Sequence, residues 1–431
     1  MMDLPSLSAE QLAAMRDRLH ARYEDFRARG LSLNMARGKP SSEQLDLSQR
    51  LLDLPGSDDA VSESGDDIRN YFGEAQGLRE TRAIFTELVG APIEQIILGD
   101  NSSLALMHDV IVYATLFGLP GGAGPWSKEE QITFLCPAPG YDRHFGICEG
   151  FGIKMIPIPL TGNGPDMDMV ESLAAVDPTI RGIWCVPRFS NPTGEVYSPE
   201  TVERLARMPT AAPDFRLFWD NAYGVHTLTD TAPLLANIME LSAQHGNPNR
   251  PFVFASTSKI TLAGAGIGMV AASAENVGWL LKHMGRRTIG ADKVNQLRHA
   301  RFLKDQDGLT KLMGEHQRML APKFARVHDM FAELLTGTGA ATWTKPDGGY
   351  FISLDVMDGC AKRVVALAKD AGITVVPAGQ TFPYSLDPRD RNIRIAPSFP
   401  SADDMEQAAE GIAVCALLAA TEKLLADRGQ A

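Results

Sequence analysis

Between Gln95 and Ala271 short apolar runs recur, at Gln95–Leu98, Ile132–Cys136, Lys154–Ile158, Gly182–Val186, Leu217–Trp219, Phe252–Ala255 and Ile267–Ala271, with helical patterns between them. Such β-rich runs separated by helices argue for a largely parallel sheet covered on both faces. Ahead of them, Ser8 to Gln11 has the form of a capping box, and Leu12, Met15, Leu19, Tyr23 and Phe26 follow at helical spacing. After Arg301, helix-like segments flank two further expected strands, Gly349–Leu354 and Ile393–Ala396. At 431 residues the chain has the length of two or three compact units. The expectation is an α/β fold: a large domain over residues 61–305 and a smaller α+β domain built from both chain ends, residues 1–60 and 306–431.

The charge balance narrows the partners. A formal net charge of -12 is spread along the chain without a block of Lys and Arg, which disfavours a nucleic-acid or anionic-membrane surface and leaves small molecules. Cys136, Cys148, Cys185, Cys360 and Cys415 form no CxxC pair, so free thiols in a reducing compartment are expected and no metal site is. Asp3 and Glu10 stand where a signal peptide would be basic and then apolar, which points to the cytoplasm. The longest apolar stretch, Gly411–Ala420, is about half of the roughly 20 residues that cross a bilayer. It reads as the buried face of a C-terminal helix.

In open α/β sheets ligands collect beyond the carboxyl ends of the strands, so the polar residues after each apolar run carry the chemistry. Gly99-Asp100-Asn101-Ser102-Ser103 precedes a helical pattern and aims N–H groups and hydroxyls at an anion such as a phosphate; an ordinary N-cap is the structural alternative. Asp220 follows an apolar strand directly, where a carboxylate calls for a positive partner such as a protonated heteroaromatic nitrogen, unless it only caps a helix. Lys259 ends Ala255-Ser256-Thr257-Ser258-Lys259 in the same position, and partial burial would help it lose its proton and act as a nucleophile. A single lysine is more often a solvated charge, so Lys259 gains weight from its neighbours.

Those neighbours form an ordered set. Asn191-Pro192-Thr193-Gly194, Asp220 with Tyr223, Ser256-x-Ser258-Lys259 and Arg394 in Asn392-Ile393-Arg394-Ile395-Ala396 resemble the landmarks of class I, fold-type I aminotransferases that depend on pyridoxal phosphate (PLP). The likeness runs from about Leu33 to the last helix. The runs PWSKEE, PGYDRHF, GPDMD, SNPTGE, TAAPDFR, WDNAY, TSKITLAGAG, KVNQL and GGYFISLDV are similar to the divergent bacterial aspartate aminotransferase subgroup typified by the corynebacterial enzyme.

The resemblance implies a large domain with a mostly parallel mixed sheet and assigns roles by position. Lys259 would form the internal aldimine and shuttle the Cα proton, Asp220 would keep the pyridine nitrogen protonated, and Tyr223 and Asn191 would hydrogen-bond the phenolic oxygen. Tyr141 would stack on the ring, and Asn101, Ser102, Ser103, Ser256 and Tyr71 of the partner subunit would hold the phosphate. Gly38, Asn191 and Arg394 would receive the substrate, with Arg394 as the bidentate fork for the α-carboxylate. One departure stands out: Thr261–Gly268 lacks the arginine that usually grips the phosphate, leaving Arg287, Lys293 and Lys39, or the N–H groups around Gly264 and Gly266, as replacements. Arg287 is the first expectation for the distal carboxylate of an acidic substrate, with Arg37 and Arg143 in reserve. The expected activity is aspartate:2-oxoglutarate transamination by a ping-pong route in a homodimer with shared sites. An alanine or aromatic donor or a PLP-dependent lyase is the alternative. A PLP-binding transcription regulator is disfavoured, because only one helix precedes Leu33.

Overall fold

The computed structural model describes residues 3–71 and 73–429. Its strands, in chain order, are β1 (Leu33–Asn34), β2 (Ile96–Leu98), β3 (Thr133–Ala138), β4 (Lys154–Pro159), β5 (Ile180–Cys185), β6 (Arg216–Asp220), β7 (Pro251–Ser256), β8 (Gly268–Ala272), β9 (Ala341–Trp343), β10 (Ile352–Val356), β11 (Ile373–Thr374) and β12 (Asn392–Ile395). Seven of them form the central sheet in the order β2-β8-β7-β6-β5-β3-β4. Its neighbours from β4 through β7 pair parallel, and β8 is antiparallel to both β7 and β2, so the sheet is mostly parallel and mixed.

Burial explains the apolar runs. Every residue of β3, β5, β6 and β7 is buried, because helices cover both faces, whereas the edge strand β4 alternates with exposed Lys154, Pro157 and Pro159. The reversal at β8 has a simple cause. A parallel return from β7 needs a crossover of a dozen or more residues, and the connection Thr257–Ile267 is shorter than that. The chain turns back instead, and Lys259 sits in the turn.

The chain ends meet in a second layer. A sheet of order β12-β10-β9 and the parallel pair β1–β11 pack with the helices Ala9–Arg27, Gln306–Leu335 and Ala402–Asp427 around one apolar core. The capping box is formed as expected: Ser8 Oγ accepts from Gln11 N at 3.2 Å and Gln11 Oε1 accepts from Ser8 N at 2.8 Å. Gly411–Thr421 is buried along its whole length inside the last helix. A Cβ on Gly411 would lie 2.4 Å from Ile373 Cδ1 and 2.5 Å from Phe26 Cζ, so only glycine lets these elements approach so closely. Among the described residues no helix is long and apolar enough to cross a membrane.

The seven expected core strands are present with ends shifted by a few residues. The run expected to begin at Gly349 begins at Ile352 instead, because Gly348 bridges to Thr227 and the chain bends tightly against Phe189, Gly349 with φ +83°. β1, β9 and β11 escape the reading because the two residues of β1 and of β11 and the only partly buried β9 form no apolar run, unlike the equally short but fully buried β2.

Candidate active site

The carboxyl ends of β5, β6 and β7 face a small cavity of about 160 Å³, lined by Ser102, Ser103, Tyr141, Asn191, Asp220, Tyr223, Ser256, Ser258 and Lys259. Lys259 also lines an open cleft of about 790 Å³ on the side of the second layer. Its turn is pinned by Thr257 N donating to Ile267 O at 2.9 Å and Ile267 N donating to Thr257 Oγ1 at 2.8 Å. The ammonium lies 5.1 Å from the centroid of the Tyr223 ring. Loss of solvent around it lowers its pKa below the usual lysine range, an effect that the Asp220 charge partly offsets.

Asp220 is only 3% exposed. Its Oδ2 lies 3.0 Å from His144 Nε2, while its Oδ1 is buried without a hydrogen-bond partner. The His144 ring is itself held by stacking on Trp184, 4.4 Å away at 9°. Tyr141 stands edge-on to His144 at 5.0 Å, and burial, reinforced by the Asp220 and Asp142 charges, pushes its hydroxyl up to about 12. A carboxylate tethered on one oxygen and open on the other can accept from an N–H placed in the cavity.

One end of the cavity suits an anion. Ser102 caps the helix Ser103–Phe117, accepting from Ala105 N at 3.3 Å, and the helix N-terminus opens towards Ser103, Ser256 and Ser258. Ser258 Oγ donates to Asn101 O at 3.0 Å. A Cβ on Gly266 would sit 2.5 Å from Ser258 Oγ, so glycine is required there. Asn101 lines an adjoining cavity of about 340 Å³ with Gly264 and Gly266. None of the three expected replacement cations lines the small cavity. Lys39 lies over the Phe399 ring at 3.9 Å, Arg287 pairs with Asp100 at 2.9 Å and Asp109 at 3.2 Å, and Lys293 lines a separate cavity with Tyr71, which is 70% exposed.

The cleft gathers Arg37, Gly38, Arg143, Asn191, Phe351 and Arg394 around Lys259. Arg394 is 7% exposed; its Nη1 reaches Asp142 Oδ1 at 3.3 Å and Asn191 Oδ1 at 3.2 Å, and its guanidinium lies 4.7 Å from the Phe351 ring centroid. A Cβ on Gly38 would collide with Phe351 Cζ at 2.5 Å. Arg37 and Arg143 are exposed, and among the described residues neither is in an ion pair. Arg287 lines neither cavity of its own chain.

His144, Asp142, Ser258 and Phe351 take part in the site without having been singled out as site residues in the sequence. Asp142 and His144 lie in the run PGYDRHF and Phe351 in GGYF, so the signal was adjacency to residues already marked.

The sequence profile of the aspartate aminotransferase family matches residues 7–428. A protein of Mycolicibacterium smegmatis is 56% identical over 429 residues, spanning 99% of this chain and 100% of its own length. An aspartate aminotransferase of Corynebacterium glutamicum is 48% identical over 421 residues, spanning 98% of this chain and 97% of its own. The crystal structure of an aspartate transaminase from that organism superposes with a TM-score of 0.96 over 98% of this chain and 99% of that one. An α-aminoadipate aminotransferase of Thermus thermophilus, complexed with N-(5'-phosphopyridoxyl)-L-leucine, is 20% identical and has a TM-score of 0.72 over 93% of this chain and 95% of its own. The fold is therefore that of the fold-type I aminotransferases. Matched to that family and to these proteins over nearly all of its length, the chain belongs to the aspartate aminotransferase family.

Proposed function

We propose that the chain moves amino groups between amino acids and 2-oxo acids with PLP carried on Lys259, and that aspartate and 2-oxoglutarate are its substrates. The observation that carries this is the position of Lys259. It is partly buried, with its amine pushed towards the neutral form, and lines both the cavity holding the open oxygen of Asp220 and the cleft holding Arg394.

The residues fit the cofactor. Asp220 Oδ1, buried and unpartnered, suits the pyridine N–H, while the serine-lined helix N-terminus suits the phosphate. When bound, the group supplies a protonated ring that draws off the electron pair left when a bond at the substrate Cα breaks. Asp220 keeps that ring protonated, and His144 keeps Asp220 in place. Asn191 and Tyr223 serve the phenolic oxygen, and Tyr141 flanks the ring. Asn101, Ser102, Ser103 and Ser256 receive the phosphate, with backbone N–H groups near Gly266 substituting for the absent arginine. Lys259, neutral once its proton is released, would serve as the base that takes the substrate's Cα proton.

At the substrate end, Arg394 takes the α-carboxylate in place of Asp142, beside Gly38 and Asn191. Arg37 and Arg143, open to the same cleft, favour a second carboxylate and hence a dicarboxylic substrate over alanine or an aromatic amino acid. Arg287, held by Asp100 and Asp109, keeps a part in the distal site only as a contribution across a subunit interface. We read the enzyme as a cytoplasmic homodimer in which exposed Tyr71 serves the site of the partner subunit, with residues 61–305 as the large domain and 1–60 with 306–431 as the smaller one. Borohydride reduction of the PLP-loaded protein and peptide mapping test the assignment: pyridoxyl on Lys259 is expected, and label on another lysine overturns it.

A further inference from the structure

Beneath Lys259 lies a buried polar chain that the site so far leaves unused. The Lys259 carbonyl accepts from His226 Nε2 at 3.2 Å and from Tyr350 Oη at 3.4 Å, and the Ile260 carbonyl pairs with His316 Nε2 at 2.9 Å. Gln44 Nε2 supplies one proton to His316 Nδ1 at 3.0 Å and the other to Tyr350 Oη at 3.0 Å. The donors and acceptors are consistent throughout, with both histidines neutral. Gln44 and Tyr350 are 0% exposed, His316 1% and His226 2%. Two of these residues, Gln44 and Tyr350, come from opposite ends of the chain, so the turn that bears the lysine is fastened to the second layer through its backbone.

Tyr350 is followed directly by Phe351, whose ring supports the Arg394 guanidinium at 4.7 Å and closes on Gly38. One two-residue unit therefore contacts both ends of the site: its hydroxyl holds the backbone of the amine end, and its second ring holds the carboxylate end. We propose that Tyr350 is a positioning residue for Lys259, and that the Tyr350-Phe351 pair fixes the spacing between Lys259 and Arg394. The distance matters because a substrate gripped by Arg394 presents its Cα to Lys259 at one place only, and small misplacements of reacting groups slow reactions strongly. This inference rests on the proposed roles of Lys259 and Arg394.

Tyr350→Phe keeps the ring, which packs on Tyr223 at 5.9 Å and on His226 at 5.4 Å, and deletes only the hydroxyl. In the PLP-loaded protein it should lower kcat about three- to ten-fold, the scale of one modest hydrogen bond, with KM for aspartate within about two-fold of wild type. It should also move the pH midpoint of the cofactor's absorbance. Phe351→Leu should do the converse, raising KM more than it lowers kcat. Should Tyr350→Phe fail to fold, Gln44→Met, which removes both of the donated protons, takes its place with the same expectation. A Tyr350→Phe protein that loses thermal stability but keeps wild-type kcat and absorbance midpoint has a structural tyrosine only and overturns the proposal. So does one whose KM rises in step with that of Phe351→Leu. A wild-type protein without cofactor on Lys259 would fail earlier and separately, at the functional reading itself.

Discussion

Asp220 shows what a sequence reveals about a single residue and what it hides. A carboxylate directly after an apolar strand is visible as an anomaly because its desolvation must be offset. The histidine that tethers it lies 76 positions away and becomes its neighbour only when the fold sets the helix Asp142–Gly150 beside the carboxyl end of β6. Replacing His144 with Phe should preserve the stack on Trp184 but leave Asp220 Oδ2 without its tether, cutting kcat by about ten-fold or more. A variant with unchanged kcat would show that the tether is dispensable. Arg287 was hidden in the same way, since its pairs with Asp100 and Asp109 join segments that only the fold brings together. The cleft arginines make the specificity claim testable. Arg143→Ala and Arg37→Ala should together lower kcat/KM for aspartate by tens to hundreds of fold and leave alanine nearly unaffected, about 2–3 kcal/mol for a charge contact at an open site. If Arg287→Ala alone produced that selective loss, the distal carboxylate would be read across a subunit interface instead.

Strands were legible where burial had made them apolar. The core strands announced themselves because burial on both faces makes most of their residues apolar, and Ser8 with Gln11 marked the first helix by side-chain chemistry. The pairing of β1 with β11 and the three residues of β9 had no such signature, and the reversal at β8 follows from the length of a connection, not from any residue in the strand. The closeness of the last helix to its neighbours depends on one position. Gly411→Leu must push against Ile373 and Phe26, and overpacking of this kind typically costs about 1–3 kcal/mol. A lowered denaturant midpoint at unchanged m-value is expected, and an unchanged midpoint would show that the helix can slide to make room.

Across the whole molecule, buried neutral histidines set the response to acid. Burial holds His226 down to about 3, helped by His316, and His299 to about 4, against 6.5 ordinarily. Below 6.5 the unfolded chain binds protons that the native one refuses, so the contribution of these groups is complete above 6.5 and is lost as pH falls towards their native values. Each should tilt stability by about 1.4 kcal/mol per pH unit within that window. Unfolding titrations of wild type and His299→Gln should therefore differ in pH slope between about 6 and 4.5, and parallel slopes would mean that His299 is protonated in the native state. The central claim, that the assembled chain carries amino groups in two separable halves, is tested most directly by following the cofactor's absorbance in the purified, PLP-loaded protein. Addition of L-aspartate alone should convert the absorbance to that of the amine form with release of one equivalent of oxaloacetate, and 2-oxoglutarate should restore it; conversion by alanine or phenylalanine in preference to aspartate, or no return on adding the oxo acid, would contradict the account.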